Sequence, residues 1–302
     1  MAGTPQPIRI TEVGPRDGLQ HEPPIPTEAK IAFINALSRT GVAEIEAGAF
    51  VSPEAVPQMA DSDGVLRKIE RRPDVLYSAL VPNERGLERA CAAGVQKIAV
   101  FTAASETFAQ HNIRATIEES FARFKPVVAR ARREGLRVRG YVSTAFVCPY
   151  EGRIDPARAV DVIERLLALG VHEVSIGDTI GRAAPRDVRR LLDLVIPRVG
   201  CDVLSLHCHD TYGMAIANTL TAWHEYGLTA FDSSAGGLGG CPFAPGATGN
   251  VATEDLVHAL KASGAAVAVD EKKVLAAAID LAPHLTHPLT SRLSAVGGAR
   301  HD

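Results

Sequence analysis

Short apolar, β-branched runs recur along the chain, most of them followed by a segment whose apolar positions repeat at helical spacing. The first run, Ile8 to Val13, ends at Gly14-Pro15. Ile31, Ile34 and Leu37 then share one helical face, with Thr27 as the expected N-cap and Gly41 as the stop. Further runs follow at Val42–Glu46, Val75–Leu80, Lys97–Phe101, Arg137–Val142, Glu173–Ile176, Val203–Leu206 and Thr229–Ser233. Helical patterns separate them: one closed by Gly94, then Ala115–Glu134 with Ile117, Phe121 and Phe124 on one side, Asp155–Leu169, Pro185–Ile196, and an Ala-rich stretch after Tyr212. Pro126 is expected to kink or split the second of these, because proline lacks the amide proton a helix interior uses.

Strict alternation of strands and helices implies a parallel sheet with right-handed crossovers. Eight such units predict an α/β fold of the (β/α)8 TIM-barrel type rather than an open doubly wound sheet. No composition shift or Ser/Gly linker marks a boundary, so residues 1–302 read as one catalytic barrel domain. A closing helix is expected from about Glu254, residues 264–302 as a short C-terminal helical appendage, and Thr290 to Asp302 as a mobile tail.

In this architecture function gathers at the C-terminal ends of the strands, and those ends are polar here. The seventh run closes on His207-Cys208-His209-Asp210. Alternation along a strand points His207 and His209 the same way and Cys208 the other, and two imidazoles about 7 Å apart on one face can share a divalent cation. The other reading is one buried structural histidine beside a surface one. Asp17, after the first strand, can add a hard carboxylate oxygen, giving a mixed N/O site that suits Mg2+, Mn2+, Co2+ or Zn2+. Arg16 is placed to stabilise a developing oxyanion, or is a surface arginine paired with an acid. Glu46 orients Arg16, accepts from a metal-bound water, or forms an inert interior salt bridge. Gln20, Ser143 and Thr144 are further polar groups at strand ends. Asp178-Thr179 equally suits a helix cap.

Gly236-Gly237-Leu238-Gly239-Gly240-Cys241-Pro242 is glycine-rich but matches neither the Rossmann nor the P-loop spacing, which excludes nucleotide hydrolysis on that ground. It reads as a mobile loop carrying Cys241 over the barrel mouth. Asn250 is either a helix N-cap or a neutral metal ligand.

Composition narrows the class. A formal net charge of −3 gives no electrostatic footprint for nucleic acid or an anionic membrane. No apolar run approaches the ~20 residues that span a bilayer. The N-terminus carries neither a signal-peptide core nor an Arg-rich transit pattern. Five dispersed cysteines do not form a disulfide framework, which points to a reducing, cytoplasmic setting.

With these residues assembled, the chain resembles the 3-hydroxy-3-methylglutaryl-CoA lyase family of metal-dependent carbon–carbon lyases and synthases. The stretches that carry the resemblance are Glu12–Gln20, Phe50-Val51-Ser52-Pro53, Ser143-Thr144-Ala145-Phe146, Gly177–Gly181, His207–Gly213, Gly237–Pro242 and Gly249–Asp255. It implies that Asp17, His207, His209 and Asn250 bind a divalent cation, Mg2+ or Mn2+. Arg16 would stabilise the enolate of departing acetyl-CoA, and Cys241 would be the loop acid/base, with a histidine such as His207 the other candidate acid. Glu46, Gln20 and Asp178 would support them, with Ser143 and Thr144 toward the substrate.

The implied reaction is retro-Claisen cleavage of 3-hydroxy-3-methylglutaryl-CoA to acetyl-CoA and acetoacetate, as in leucine degradation and ketone-body metabolism. The implied assembly is a homo-oligomer, dimer or tetramer, with a small acyl-CoA as partner and neither nucleic acid nor membrane. Malate-type synthases usually carry Glu where Leu19 stands, which favours the lyase branch. Gly48-Ala49, Glu54, Pro245 and Met214 depart from the family pattern around substrate. Citramalyl-CoA and longer-branched 3-hydroxyglutaryl-CoA esters therefore stay open as substrates, and a silent barrel kept for binding is the competitor from another class.

Overall fold

The computed structural model of the chain describes residues 6–240 and 249–297. Eight parallel strands close a barrel: β1 (Arg9–Glu12), β2 (Glu44–Ala49), β3 (Leu76–Leu80), β4 (Lys97–Ala103), β5 (Arg137–Ser143), β6 (Glu173–Asp178), β7 (Leu204–Cys208) and β8 (Ala230–Ser233). Each strand pairs with its sequence neighbours, and β8 pairs back onto β1 with Ile10 opposite Phe231. The expected (β/α)8 barrel is the observed one.

The outer layer comprises α1 (Thr27–Leu37), α2 (Ser62–Lys68), α3 (Glu84–Ala92), α4 (Glu106–Ile113), α5 (Ile117–Arg133), α6 (Pro156–Leu169), α7 (Pro185–Val199), α8 (Ala215–Tyr226), α9 (Thr253–Ala262), α10 (Glu271–Leu281) and α11 (Arg292–Gly297). Their apolar faces bury against the outside of the sheet: Leu166 of α6 lies against Gly140 of β5, where a Cβ would come within 3.0 Å of its Cδ1. A short antiparallel pair, Val147–Cys148 with Gly152–Arg153, folds over the β5 end.

Several local expectations change. Thr27 is the first residue of α1 rather than its cap, and its hydroxyl donates to Asp61 Oδ2 at 2.7 Å. Helix α5 runs through Pro126 without interruption. Thr116 and Glu119 form a reciprocal capping box at its start, and Phe121, Phe124, Val127 and Val128 bury on both sides of the proline. That packing offsets the missing amide bond. The helices α2 and α4 were not legible as periodic segments.

Residues 264–302 were expected to form a helical appendage with a mobile tail, and the described part of them carries helices α10 and α11. Helix α10 packs against both α1 and α9, filling the wall between the last crossover and the first. Thr290 N donates to Gly236 O at 3.0 Å, and Asp255 accepts from the amides of Arg292 and Leu293 at 2.6 and 2.9 Å, capping α11. The stretch from Thr290 to the start of α11 is therefore docked on the barrel.

The barrel interior is charged instead of aliphatic. Lys97 reaches Glu44 at 2.6 Å and also pairs with Glu173; these are contributed by β2, β4 and β6. Above them Arg139 of β5 donates to Thr11 of β1 at 3.1 Å and to Ser205 of β7 at 2.5 Å. Successive layers thus come from alternate strands, as barrel geometry requires. Glu12 stands in the opposite phase, outside the sheet, where its carboxylate accepts from the amides of Gly14 and Ala235 at 2.8 and 2.9 Å and from the Thr253 hydroxyl at 2.6 Å. It ties the loop after β1 to the segment after β8.

Removing that tie is expected to be costly. Glu12→Ala leaves two buried amides unpaired, at about 1–3 kcal/mol each, so chemical denaturation should report a loss of roughly 2–5 kcal/mol. A loss below about 1 kcal/mol would show that the loops close without it. Burial pushes the Glu12 carboxyl up to about 7 against its hydrogen bonds. The folded protein then binds this proton more tightly than the unfolded chain, and the Glu12 share of stability falls as pH rises from 4.5 towards 7. Glu12→Gln should remove that slope from the unfolding curves.

Candidate metal centre and active site

The loop after β1 is a single wide turn, Gly14–Gly18, wound around one carbonyl: Val13 O accepts from the amides of Arg16, Asp17 and Gly18. Gly18 has no room for a side chain, since a Cβ would lie 2.9 Å from that of Leu238. The turn aims Arg16 and Asp17 into the barrel mouth. Arg16 is buried, with Nε donating to Glu46 Oε2 and Nη1 to Asp17 Oδ1, both at 2.5 Å, and its guanidinium lies 5.6 Å from the Tyr141 ring centre. The Glu46 carboxylate is thus paired directly with Arg16. Burial raises the Glu46 carboxyl, with Arg16 opposing.

Asp17 is the hub. Its Oδ1 also accepts from Gln20 Nε2 at 3.0 Å, and its Oδ2 accepts from Asn250 Nδ2 at 2.8 Å. The same Oδ2 lies 3.9 Å from Nε2 of both His207 and His209. Burial pushes the Asp17 carboxyl up, but Arg16 and then the two histidines outweigh it and hold it well below the usual range. Burial, followed by the neighbouring His207, brings His209 down to about 4, so its ring is neutral at physiological pH.

Among the described residues, Asp17, His207 and His209 form a group whose ligand atoms all lie within 4.8 Å of one another. Asn250 joins it: its backbone bridges to that of His209, while its Oδ1 and His209 Nδ1 are buried without a hydrogen-bond partner. Helix α9 is capped at Ala252, so Asn250 is not the N-cap that the sequence allowed. Two imidazoles, an ionised carboxylate and a free amide oxygen are a donor set that fits a divalent cation.

Other expected site residues sort by strand phase. Ser143 lines the cavity with Arg16, Gln20 and the histidines. Thr144 does not: it sits at φ 52°, buried, with its hydroxyl donating to its own neighbour's carbonyl, Ser143 O, at 2.8 Å. Asp178 stands opposite Cys208 in the β6–β7 register, so both face away from the mouth. Its two oxygens accept from the amides of Arg182 and Ala183, each at 3.0 Å, so its carboxylate is turned to the loop after β6 and not to the cavity. Thr179 takes its place on the cavity wall. Cys241 lies outside the described residues; Gly240, immediately before it, lines the cavity.

Three buried groups were not singled out from the sequence. Glu12, Tyr141 and Asp232 sit within strands whose apolar neighbours made them look like interruptions of a β pattern. A charged or phenolic residue in the middle of such a run was the available signal. The cavity itself measures about 920 Å³ and extends from the histidines to His111 and Arg114 at its rim.

Comparison with known proteins agrees with this geometry. The HMGL-like family model matches residues 7–280. A cytoplasmic 3-hydroxy-3-methylglutaryl-CoA lyase from Rattus norvegicus is 50% identical over 278 residues, covering 92% of this chain and 81% of the relative. A mitochondrial hydroxymethylglutaryl-CoA lyase from the same animal is 46% identical over 295 residues, covering 97% and 90%. The crystal structure of hydroxymethylglutaryl-CoA lyase from Pseudomonas aeruginosa superposes with a TM-score of 0.95 at 45% identity and covers 98% of each chain. Matched over most of its length by the family model and near half identical to these relatives, the chain belongs to the HMGL-like family.

Proposed function

We propose that this chain is a hydroxymethylglutaryl-CoA lyase that cleaves 3-hydroxy-3-methylglutaryl-CoA to acetyl-CoA and acetoacetate. The observation that carries the reading is the convergence of Asp17, His207 and His209 beside a buried, aimed Arg16 at the mouth of the barrel. The names of the relatives favour this ester over citramalyl-CoA and longer-branched esters. A silent barrel has no physical need to bury a guanidinium and a metal-ligand set together.

Asp17, His207, His209 and Asn250 would hold the cation, with Mg2+ or Mn2+ favoured by the carboxylate and amide oxygens. Such an ion, when bound, supplies Lewis-acid stabilisation of negative charge on substrate oxygen. The protein groups do the rest. A base takes the C3 hydroxyl proton, the C2–C3 electron pair passes to the thioester as an enolate, and C2 is then protonated. Arg16, held rigid by Glu46 and Asp17, meets the charge that grows on the thioester oxygen. Cys241 is the proposed proton donor; His207, the other candidate, has its Nε2 turned to the metal site and its Nδ1 to Asp232. Gln20 fixes the Asp17 carboxylate, Ser143 and Thr179 face substrate, and Asp178 shapes the loop through Ala183.

A cytoplasmic location is supported by the free thiols of Cys91, Cys148, Cys201 and Cys208. Among the described residues, no helix is long and apolar enough to cross a membrane. A dimer or tetramer is proposed, with exposed Ile279 and Val296 offering apolar surface for it. Light scattering on the purified protein decides that point.

Two tests follow. With 3-hydroxy-3-methylglutaryl-CoA, enzyme plus Mg2+ or Mn2+ should release acetyl-CoA, and Arg16→Gln should keep fold and metal while kcat drops roughly 10²–10³-fold with little change in KM. No acetyl-CoA from this ester would defeat the assignment, and wild-type turnover in Arg16→Gln would make Arg16 structural. In equilibrium dialysis with Mn2+, His207→Ala and His209→Ala should each lose most bound metal, whereas Asp178→Asn should keep it. Unchanged metal content in both histidine variants would remove the centre from the mechanism.

A further inference from the structure

Strand β8 carries a carboxylate where a barrel interior ordinarily places an aliphatic residue. Asp232 stands opposite His207 on one side and Thr11 on the other, all three pointing inward. Its side chain is fully buried, at 0% exposure. Oδ1 accepts from Arg139 Nη2 at 2.5 Å; Oδ2 accepts from the Ser175 hydroxyl at 2.8 Å and lies 3.2 Å from His207 Nδ1.

An ionised carboxylate can only accept hydrogen bonds, so the imidazole nitrogen that faces it must carry the hydrogen. In a neutral ring the other nitrogen is then the lone-pair donor. That atom is His207 Nε2, the one 3.9 Å from Asp17 Oδ2. His209 has no such support, its Nδ1 being buried without a partner among the described residues. The two histidines of the pair are thus unequal.

We propose that Asp232, itself held by Arg139 and Ser175, is a positioning residue that locks His207 in the Nδ1–H tautomer and so sets the metal affinity of the centre. The proposal rests on the metal reading given above. The competing role is that of a counter-ion which only neutralises Arg139 inside the barrel.

The tautomer separates the two, because a counter-ion role does not depend on it. Metal-free protein labelled with 15N-histidine and examined by long-range 1H–15N NMR at neutral pH should show His207, identified by its loss in His207→Ala, protonated at Nδ1. In Asp232→Asn the carboxamide can present an N–H to the ring, which should move the proton to Nε2. The variant should fold by circular dichroism yet bind Mn2+ roughly 10–100-fold more weakly, the range found when a ligand's supporting carboxylate is removed. Ser175→Ala, which leaves the carboxylate in place, should keep the wild-type tautomer.

An Nε2–H His207 in the wild type would overturn the proposal, as would wild-type Mn2+ affinity in a folded Asp232→Asn. Should Asp232→Asn fail to fold, the wild-type tautomer decides alone. Absence of Mn2+ binding by the wild type would sink the metal reading instead, and the tautomer would still report whether Asp232 positions the ring.

Discussion

Arg16 lies between two carboxylates, at 2.5 Å from each, in a place that water barely reaches. Without it Asp17 and Glu46 would be two buried like charges, each raised by burial. With both ionised, the three groups carry one net negative charge between them, next to imidazoles that are uncharged when neutral. The mouth of the barrel is therefore short of positive charge by construction, and a divalent cation answers that deficit more directly than any further side chain would. The wide turn at Gly14–Gly18 exists to make this geometry reachable, and the contact of Gly18 with Leu238 keeps the turn against the β8 loop.

Beneath the mouth, charge continues through the barrel in layers: Asp232 and Ser175, then Arg139, then Glu173, Lys97 and Glu44. Buried ion pairs seldom stabilise a fold beyond what well-packed aliphatic residues of the same volume would give. What they add is direction. Each donor in this stack fixes the orientation of the acceptor above it, and the uppermost acceptor faces His207. Arg139 is only 1% exposed, and its guanidinium also lies 4.9 Å from the centre of the Tyr141 ring, which stands nearly perpendicular to the His207 ring. The ring that presents Nε2 to the site is thus constrained by packing and by hydrogen bonding together.

The barrel was legible because its two periods, apolar runs of strand length and apolar stripes of helical length, alternate along most of the chain and are punctuated by glycine. Much of the site was legible too, because His207, Cys208 and His209 follow one another at the end of β7, where alternation can be counted from the sequence. What escaped was whatever depends on neighbours distant in the chain. Helix α10 follows no strand, so no βα rule announces that it fills the wall beside α1. Asp232 is a lone acid in a short run, and its meaning comes from Arg139, Ser175 and His207, each on a different strand. Thr144 has a polar side chain in the right segment, but a left-handed backbone turns it away from the cavity.

Asp178 shows the most about reading such a chain. Asp178 and Glu12 both end strands, both are fully buried, and burial pushes both carboxyls up to about 7. Both stand in the outward phase and spend oxygens on backbone amides: Asp178 on the loop that follows its strand, Glu12 on that loop and on the segment after β8. Glu46 and Asp232, acids of the same kinds in the inward phase, spend theirs on Arg16, Arg139 and His207 instead. A perturbed carboxyl at a strand end is therefore not in itself a sign of catalysis. One register position, 3.3 Å of chain by the rise of a strand, separates an acid that shapes a loop from one that meets the chemistry. The register of β6 on β7, with Asp178 opposite Cys208 and Gly177 opposite His207, is the fact that assigns Asp178 to the first kind.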